Sequence, residues 1–306
     1  MMRLGMMAPF VDGLITSGGF LRDLAGTLEE CGIESLWTVE HVVVAEEYTP
    51  LYPYAQNGQM PTAPGGVLPM PDPLETIAFL AGASRTLRFG TAMVVAPLHS
   101  PAVLAKRAAT IDLHSGGRLM LGLGIGWQKE EYAAVGVPYQ ARGARLDECI
   151  EAMRALWSQA PASFDGRYVS FDRVHCTPQP ASGSVPIVLG GNSDAAVRRA
   201  GRCGDGWFPY TIGAEDFARQ AELLRGCAQE AGRPEDAVEL TAWPDSCDRQ
   251  RAWADAAWMR EYVRAGATRL VISPPGGGPD GLRGPRGLDR LRAHIARYRD
   301  EILEKL

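Results

Sequence analysis

Glu40 and His41 stand side by side directly after a short apolar run, residues 35–38. An imidazole near a carboxylate exchanges a proton close to neutral pH, as hydride chemistry at a carbonyl or activated alkene requires. The plainer reading is a histidine held in place for packing. A second candidate is Gly190-Gly191-Asn192-Ser193. A glycine pair lets backbone N–H groups approach an anion, and a helix starting at Ser193 would add oriented donors. Read without that anion, the same residues are an ordinary turn with Asn192 or Ser193 as N-cap. The third is Gly122-Leu123-Gly124-Ile125-Gly126-Trp127, where Gly124 and Gly126 can bring bare backbone against a ligand and Gly122 reads as core. Tyr48, Tyr52 and Tyr54, with Trp127 and Trp243, supply rings for an apolar or aromatic pocket, or simply for packing.

Short apolar runs alternate with helical patterns along the 306 residues, the mark of parallel β/α architecture. The spacing predicts strands at 3–8, 35–38, 87–94, 119–123, 186–189, 206–209, 238–243 and 269–273. Helices are predicted at 19–31, 101–113, around 146–157, from 193, and at 214–231, 252–265 and 288–305. In the last, Leu288, Leu291, Ile295, Tyr298 and Ile302 form one stripe. About eight β/α units give one (β/α)8 TIM barrel, with functional groups expected at the C-terminal strand ends. No composition break divides the chain, so residues 1–306 read as one domain. Two insertions interrupt the rhythm. Residues 42–71, after the second strand, are expected to cover the barrel mouth. Residues 162–180, after the fourth, carry Asp165-Gly166, read as a hairpin that edges the same cleft.

A net charge of -5 argues against nucleic acid, and no run approaches a membrane span. The partner is expected to be a small molecule, with a homodimer left open. Six cysteines without a C-x-x-C pair fit reduced thiols and a cytosolic location. There is no P-loop and no G-x-S-x-G; Trp127 stands where a Rossmann motif needs its third glycine. The five histidines lack ligand spacing, so no metal is assigned.

Residues 105–112 (AKRAATID), 115–119 (SGGRL) and 121–127 (LGLGIGW), followed by Glu131-Tyr132 and Gly136, resemble the luciferase-like monooxygenase superfamily. Glu40-His41, Arg142-Gly143, Asp147-Glu148, residues 186–193 and Gly204-Asp205-Gly206-Trp207 extend the resemblance over nearly the whole chain. It is similar to the branch of coenzyme F420-dependent oxidoreductases. The resemblance implies a flavin or deazaflavin across the strand ends, with its phosphate at Gly190, Gly191, Asn192 and Ser193. It further implies His41 at the ring beside Glu40, and a non-prolyl cis peptide around Ala92 and Met93 supporting that ring. Gly124 and Gly126 would touch the cofactor and Glu130 would reach it. Related sugar-phosphate dehydrogenases have a carboxylate at the position of Trp127, so their substrate is not carried over. Trp127 and Tyr54 are read instead as substrate pocket.

The reading is an oxidoreductase moving hydride between coenzyme F420 and an organic substrate, with His41 and Glu40 as catalytic candidates. The first alternative is an FMN-dependent monooxygenase using reduced flavin and oxygen. The second is a non-catalytic flavin-binding barrel.

Overall fold

The computed structural model describes residues 2–10, 13–49, 52–55, 57–60, 68–276 and 281–306. Residues 50, 51, 56 and 61–67 of the long segment expected over the mouth lie outside the described residues. The strands, in chain order, are β1 (Arg3–Met7), β2 (Ser35–Thr38), β3 (Arg88–Thr91), β4 (Val94–Val95), β5 (Leu119–Gly124), β6 (Ala162–Asp165), β7 (Ser170–Val174), β8 (Ile187–Gly190), β9 (Gly206–Phe208), β10 (Glu239–Ala242) and β11 (Ala267–Ile272). Eight of them pair in parallel as β1-β2-β3-β5-β8-β9-β10-β11. The ring closes where β11 returns to β1 with Arg3 opposite Arg269. This is the TIM barrel that the alternating pattern predicts.

The helices are α1 (Gly18–Glu30), α2 (Pro73–Ala81), α3 (Pro101–Ser115), α4 (Lys129–Ala134), α5 (Arg142–Ser158), α6 (Asp194–Cys203), α7 (Ala214–Glu230), α8 (Arg249–Ala252), α9 (Ala256–Arg264) and α10 (Gly287–Glu301). Their starts follow local chemistry. Ser17 caps α1 by accepting from Phe20 N, and Asp72 caps α2 ahead of Pro73 at its first position. Gly116, at φ 69, ends α3 in the left-handed conformation.

Three boundaries differ from the sequence reading. The strand expected over 87–94 is two pieces, because the Ala92–Met93 peptide is cis and the chain resumes as β4 beside β5. The helix expected over 252–265 is divided into α8 and α9, with Asp255 capping α9 through Trp258 N. The hairpin exists as β6 and β7, but it flanks α5 instead of edging the mouth. Glu148 of α5 accepts from Arg167, Tyr168 and Val169 at its tip, and the Arg145 guanidinium lies 4.5 Å from the Tyr168 ring.

Packing has two layers. The larger lies between strands and helices, around residues such as Leu24, Ile77, Leu104, Met153 and Leu270. The smaller fills the barrel and contains Met7, Trp37, Met120, Val188, Phe208 and Val271. At the N-terminal end of the barrel Arg269 is 1% exposed. It donates to both oxygens of Glu34 at 2.8 Å and to Thr241, and pairs with Glu239. The buried ring of Trp37 sits above it.

Candidate active site

The opposite, C-terminal end gathers the sequence candidates. Val39, Ala92, Met93 and Trp243 pack on the barrel's interior cluster and form an apolar floor. The cis Ala92–Met93 bond lies in that floor, where the resemblance implied it. Ala92 N donates to Thr38 O at 2.6 Å, tying the segment to the end of β2.

The chain neighbours Glu40 and His41 do not pair with each other, because successive residues of an extended strand end point to opposite sides. Glu40 is buried and accepts from Val95 N at 2.6 Å; its oxygens lie 3.0 and 3.1 Å from His99 Nε2. His41 Nδ1 is 3.0 Å from Glu131 Oε2, and the other Glu131 oxygen accepts from Val42 N at 2.6 Å. With Glu131 accepting at both oxygens, Nδ1 carries the His41 proton and Nε2 is the nitrogen left for other partners. The mouth therefore holds two histidine–carboxylate pairs, Glu40–His99 and His41–Glu131. His99 has no spacing signal in the sequence. Glu131 stands in a family-like motif but carries nothing that ties it to His41, 90 positions away.

The segment after β2 crosses the mouth and is gripped by the start of α4. Ala45 N donates to Gln128 Oε1 at 3.1 Å and Thr49 N to Glu130 Oε1 at 3.0 Å. Glu130, expected at the cofactor, thus holds the lid backbone through one oxygen. Trp127 is ringed by His41, Tyr48 and Tyr52, with centroids 6.0, 4.9 and 5.2 Å away. Tyr52 then meets Tyr54 at 5.5 Å, Tyr54 meets Tyr210 at 5.0 Å and Tyr210 meets Trp243 at 5.2 Å. These contacts, edge-on except for the tilted Tyr210–Trp243 pair, carry an aromatic arch from the end of β5 to the ends of β9 and β10. Burial, then the neighbouring Tyr210 hydroxyl, pushes the Tyr52 and Tyr54 phenols above their ordinary range, so both remain neutral donors.

The glycine turn is built to leave space. Gly191 has φ 104, and a Cβ there would lie 2.9 Å from Ala196 Cβ. Ser193 caps α6 by accepting from Ala196 N. Trp207, fully buried, donates its indole N–H to Gly191 O at 3.0 Å, which explains the tryptophan of the Gly204–Trp207 motif. Asn192 is tied to the segment after β9: its side chain donates to Tyr210 O and accepts from Tyr210 N. Gly124 and Gly190 both face Met93, and a Cβ at Gly190 would meet its side chain at 2.7 Å. Gly126 has φ 63. Gly122 carries no room for a ligand, since a Cβ there would strike Thr91 O. An apolar floor with an open glycine turn at a helix start fits a flat ring bearing a phosphate.

A closed parallel barrel whose histidine–carboxylate pairs and glycine turn share the C-terminal rim has the layout of β/α-barrel enzymes. The chain belongs to the luciferase-like monooxygenase family, which matches residues 2–299. An uncharacterized protein of Mycobacterium tuberculosis is 31% identical over 219 residues, covering 72% of this chain and 75% of its own. Among solved structures, monooxygenase RslO1 of Streptomyces bottropensis overlays with a TM-score of 0.75 at 20% identity, covering 99% of both chains. The coenzyme F420 dependent tetrahydromethanopterin reductase of Methanopyrus kandleri overlays at 0.70 and 16% identity, again over 99% of each.

Proposed function

We propose that this chain is a deazaflavin-dependent oxidoreductase that moves hydride between coenzyme F420 and an organic substrate. The observation that carries the reading is the His41–Glu131 pair at the rim of the barrel. Hydride transfer to a carbonyl leaves an oxygen that needs a proton, and the reverse direction needs one removed. His41 Nε2 supplies or takes that proton, while Glu131 orients the ring through Nδ1. Glu40 holds His99 and the Val95 backbone, and so fixes the walls beside Ala92. When bound, the deazaflavin supplies the hydride chemistry. Gly190, Gly191, Asn192 and Ser193 would hold its phosphate, and Gly124, Gly126 and the floor at Ala92 and Met93 its ring, with Glu130 close by. Trp127 and Tyr54 enclose the substrate under the lid and exclude water.

The overlay with the F420-dependent reductase along its full length supports this cofactor. The equally complete overlay with monooxygenase RslO1 supports a second reading, a monooxygenase on the same scaffold, for which we take FMN as the cofactor. Fluorescence titration of the apoprotein with both cofactors separates them. The deazaflavin is expected to bind at least about tenfold more tightly, a gap of ~1.4 kcal/mol. Comparable affinities, or tight binding of FMN alone, overturn the proposal.

A further inference from the structure

Outside the mouth, behind the ends of β10 and β11, lies a cleft of about 600 Å³. Its walls include Arg249 and Trp253 around α8, Pro275 after β11, and Arg290, His294 and Arg297 of α10. Its described lining holds three arginines and no carboxylate, although the whole chain carries a net charge of -5. Two of the guanidiniums are held by neutral acceptors. Arg249 donates to Pro274 O at 3.0 Å, and Arg290 donates to Gly281 O at 2.7 Å and Arg283 O at 2.6 Å. Carbonyls fix these side chains without cancelling their charge, so their geometry is set in advance. Arg297 pairs with an acid, Glu301, one turn along its own helix at 3.1 Å, and Arg249 lies within electrostatic reach of the buried Asp245.

We propose that this cleft binds the phosphate group of a small molecule, at a site separate from the barrel mouth. Planar guanidiniums arriving from α8 and α10 suit an anion with several oxygens better than a single carboxylate, because each fork can take a different edge. The location is also chemically sensible, since the loops after the seventh and eighth strands are where barrels commonly hold phosphate. The cleft and the mouth share a wall at Ser273. Its hydroxyl accepts from Trp243 of the mouth at 3.1 Å, and its carbonyl lies 3.1 Å from His294 Nε2 in the cleft.

His294 reports on the charge there. Burial first, and then Arg249 and Arg297, hold it down to about 4, against the hydrogen bond to Ser273 O. The other groups packed nearby are Trp253 and Tyr298, whose ring contacts Trp253, and Asp245, whose burial favours its neutral form. A bound phosphate offsets the two arginines and raises the His294 midpoint.

The test is a titration of histidine-labelled protein with inorganic pyrophosphate, read by NMR at constant ionic strength, with His294→Gln assigning the resonance. A saturable upward move of the His294 midpoint is expected. Arg249→Gln with Arg290→Gln should weaken binding at least tenfold. Ala293→Glu, which adds an acid to the exposed lining and removes no contact, should do the same in a folded protein. Gly191→Val, in the mouth, should leave it unchanged. A response reproduced by sodium chloride overturns the proposal. So does binding that is lost with Gly191→Val and kept in the cleft variants, which assigns the phosphate to the mouth. Adding F420 separates a free phosphate from one carried by a mouth-bound cofactor: pyrophosphate binding that saturating F420 leaves unchanged supports the cleft as an independent site, and displacement by F420 that disappears with Gly191→Val overturns it. The cleft stands or falls without reference to which cofactor the barrel uses.

Discussion

Removing the Glu34 carboxylate should flatten the acid side of the stability profile. Glu34 lies at the N-terminal end of the barrel, far along the strands from the mouth, and binds Arg269 through both oxygens with Arg88 also in reach. Burial alone would raise its affinity for a proton. The hydrogen-bonded Arg269 outweighs burial, and the folded-state value falls from 4.5 to about 2. At ~1.4 kcal/mol for each tenfold change in proton affinity, this corresponds to about 3 kcal/mol of stability at pH 7. Because the value is depressed in the folded state, the unfolded chain takes up the proton first. The contribution is complete above about pH 5 and fades as pH falls from the ordinary value toward 2. Of it, about 1.5 kcal/mol should be gone at pH 3.5. Urea unfolding of the wild type and Glu34→Gln at pH 7 and pH 3.5 measures the difference. The wild type should lose that much more than the variant over the interval. Parallel pH dependence of the two proteins would refute the reasoning, and would mean that Arg269 is satisfied by Glu239 and Thr241 without Glu34.

Gly191→Val should abolish cofactor binding while circular dichroism remains that of the wild type, since the new side chain closes the turn and is strained at φ 104; unchanged affinity removes the phosphate assignment. His41→Asn should slow single-turnover hydride transfer by about 10²- to 10⁴-fold with little loss of cofactor affinity, and a fully active variant with the wild-type pH profile would return His41 to a packing role. Arg118→Met should cost about 2–3 kcal/mol in chemical denaturation, because Arg118 donates to the carbonyls of Ala81, Ser84, Leu87 and Ser115 and to Ser84 Oγ. Cys149, pushed up to about 12 by burial, should escape alkylation at pH 8 in the folded protein while exposed Cys247 reacts, as peptide mapping by mass spectrometry will read.

The alternation of apolar runs carries the barrel, and β2 is found at its predicted bounds around the buried Leu36 and Trp37, with Ser35 and Thr38 buried at its ends. Ser193 is legible as a cap for the same local reason. The division of the third strand leaves no trace in hydrophobic spacing, and family likeness alone points to the cis peptide between its pieces. Spacing does not single out α2, although Asp72-Pro73 is a helix-start signal that was there to be read. The exchange of partners between Glu40–His99 and His41–Glu131 is the deepest miss. Both bonds depend on which strands lie side by side in the barrel, β2 beside β3 and β3 beside β5. The hold of Glu130 on the Thr49 backbone is likewise illegible, because the segment that it grips has no periodicity of its own.

The two histidine pairs have a consequence for the barrel's division of labour. Glu40, His41, His99 and Glu131 all precede the end of α5 at Ser158, whereas the glycine turn at 190–193, Tyr210 and Trp243 all follow it. In the proposed function, proton handling thus belongs to one half of the chain and anion capture to the other. Among the described residues the two halves meet along two seams of parallel pairing, β5 with β8 and β11 with β1. A ligand lying across the mouth would fasten both seams at once. Separately expressed halves should therefore reassemble more tightly with cofactor present, and each half should be free to drift in sequence toward new substrates or new cofactors without disturbing the other's chemistry.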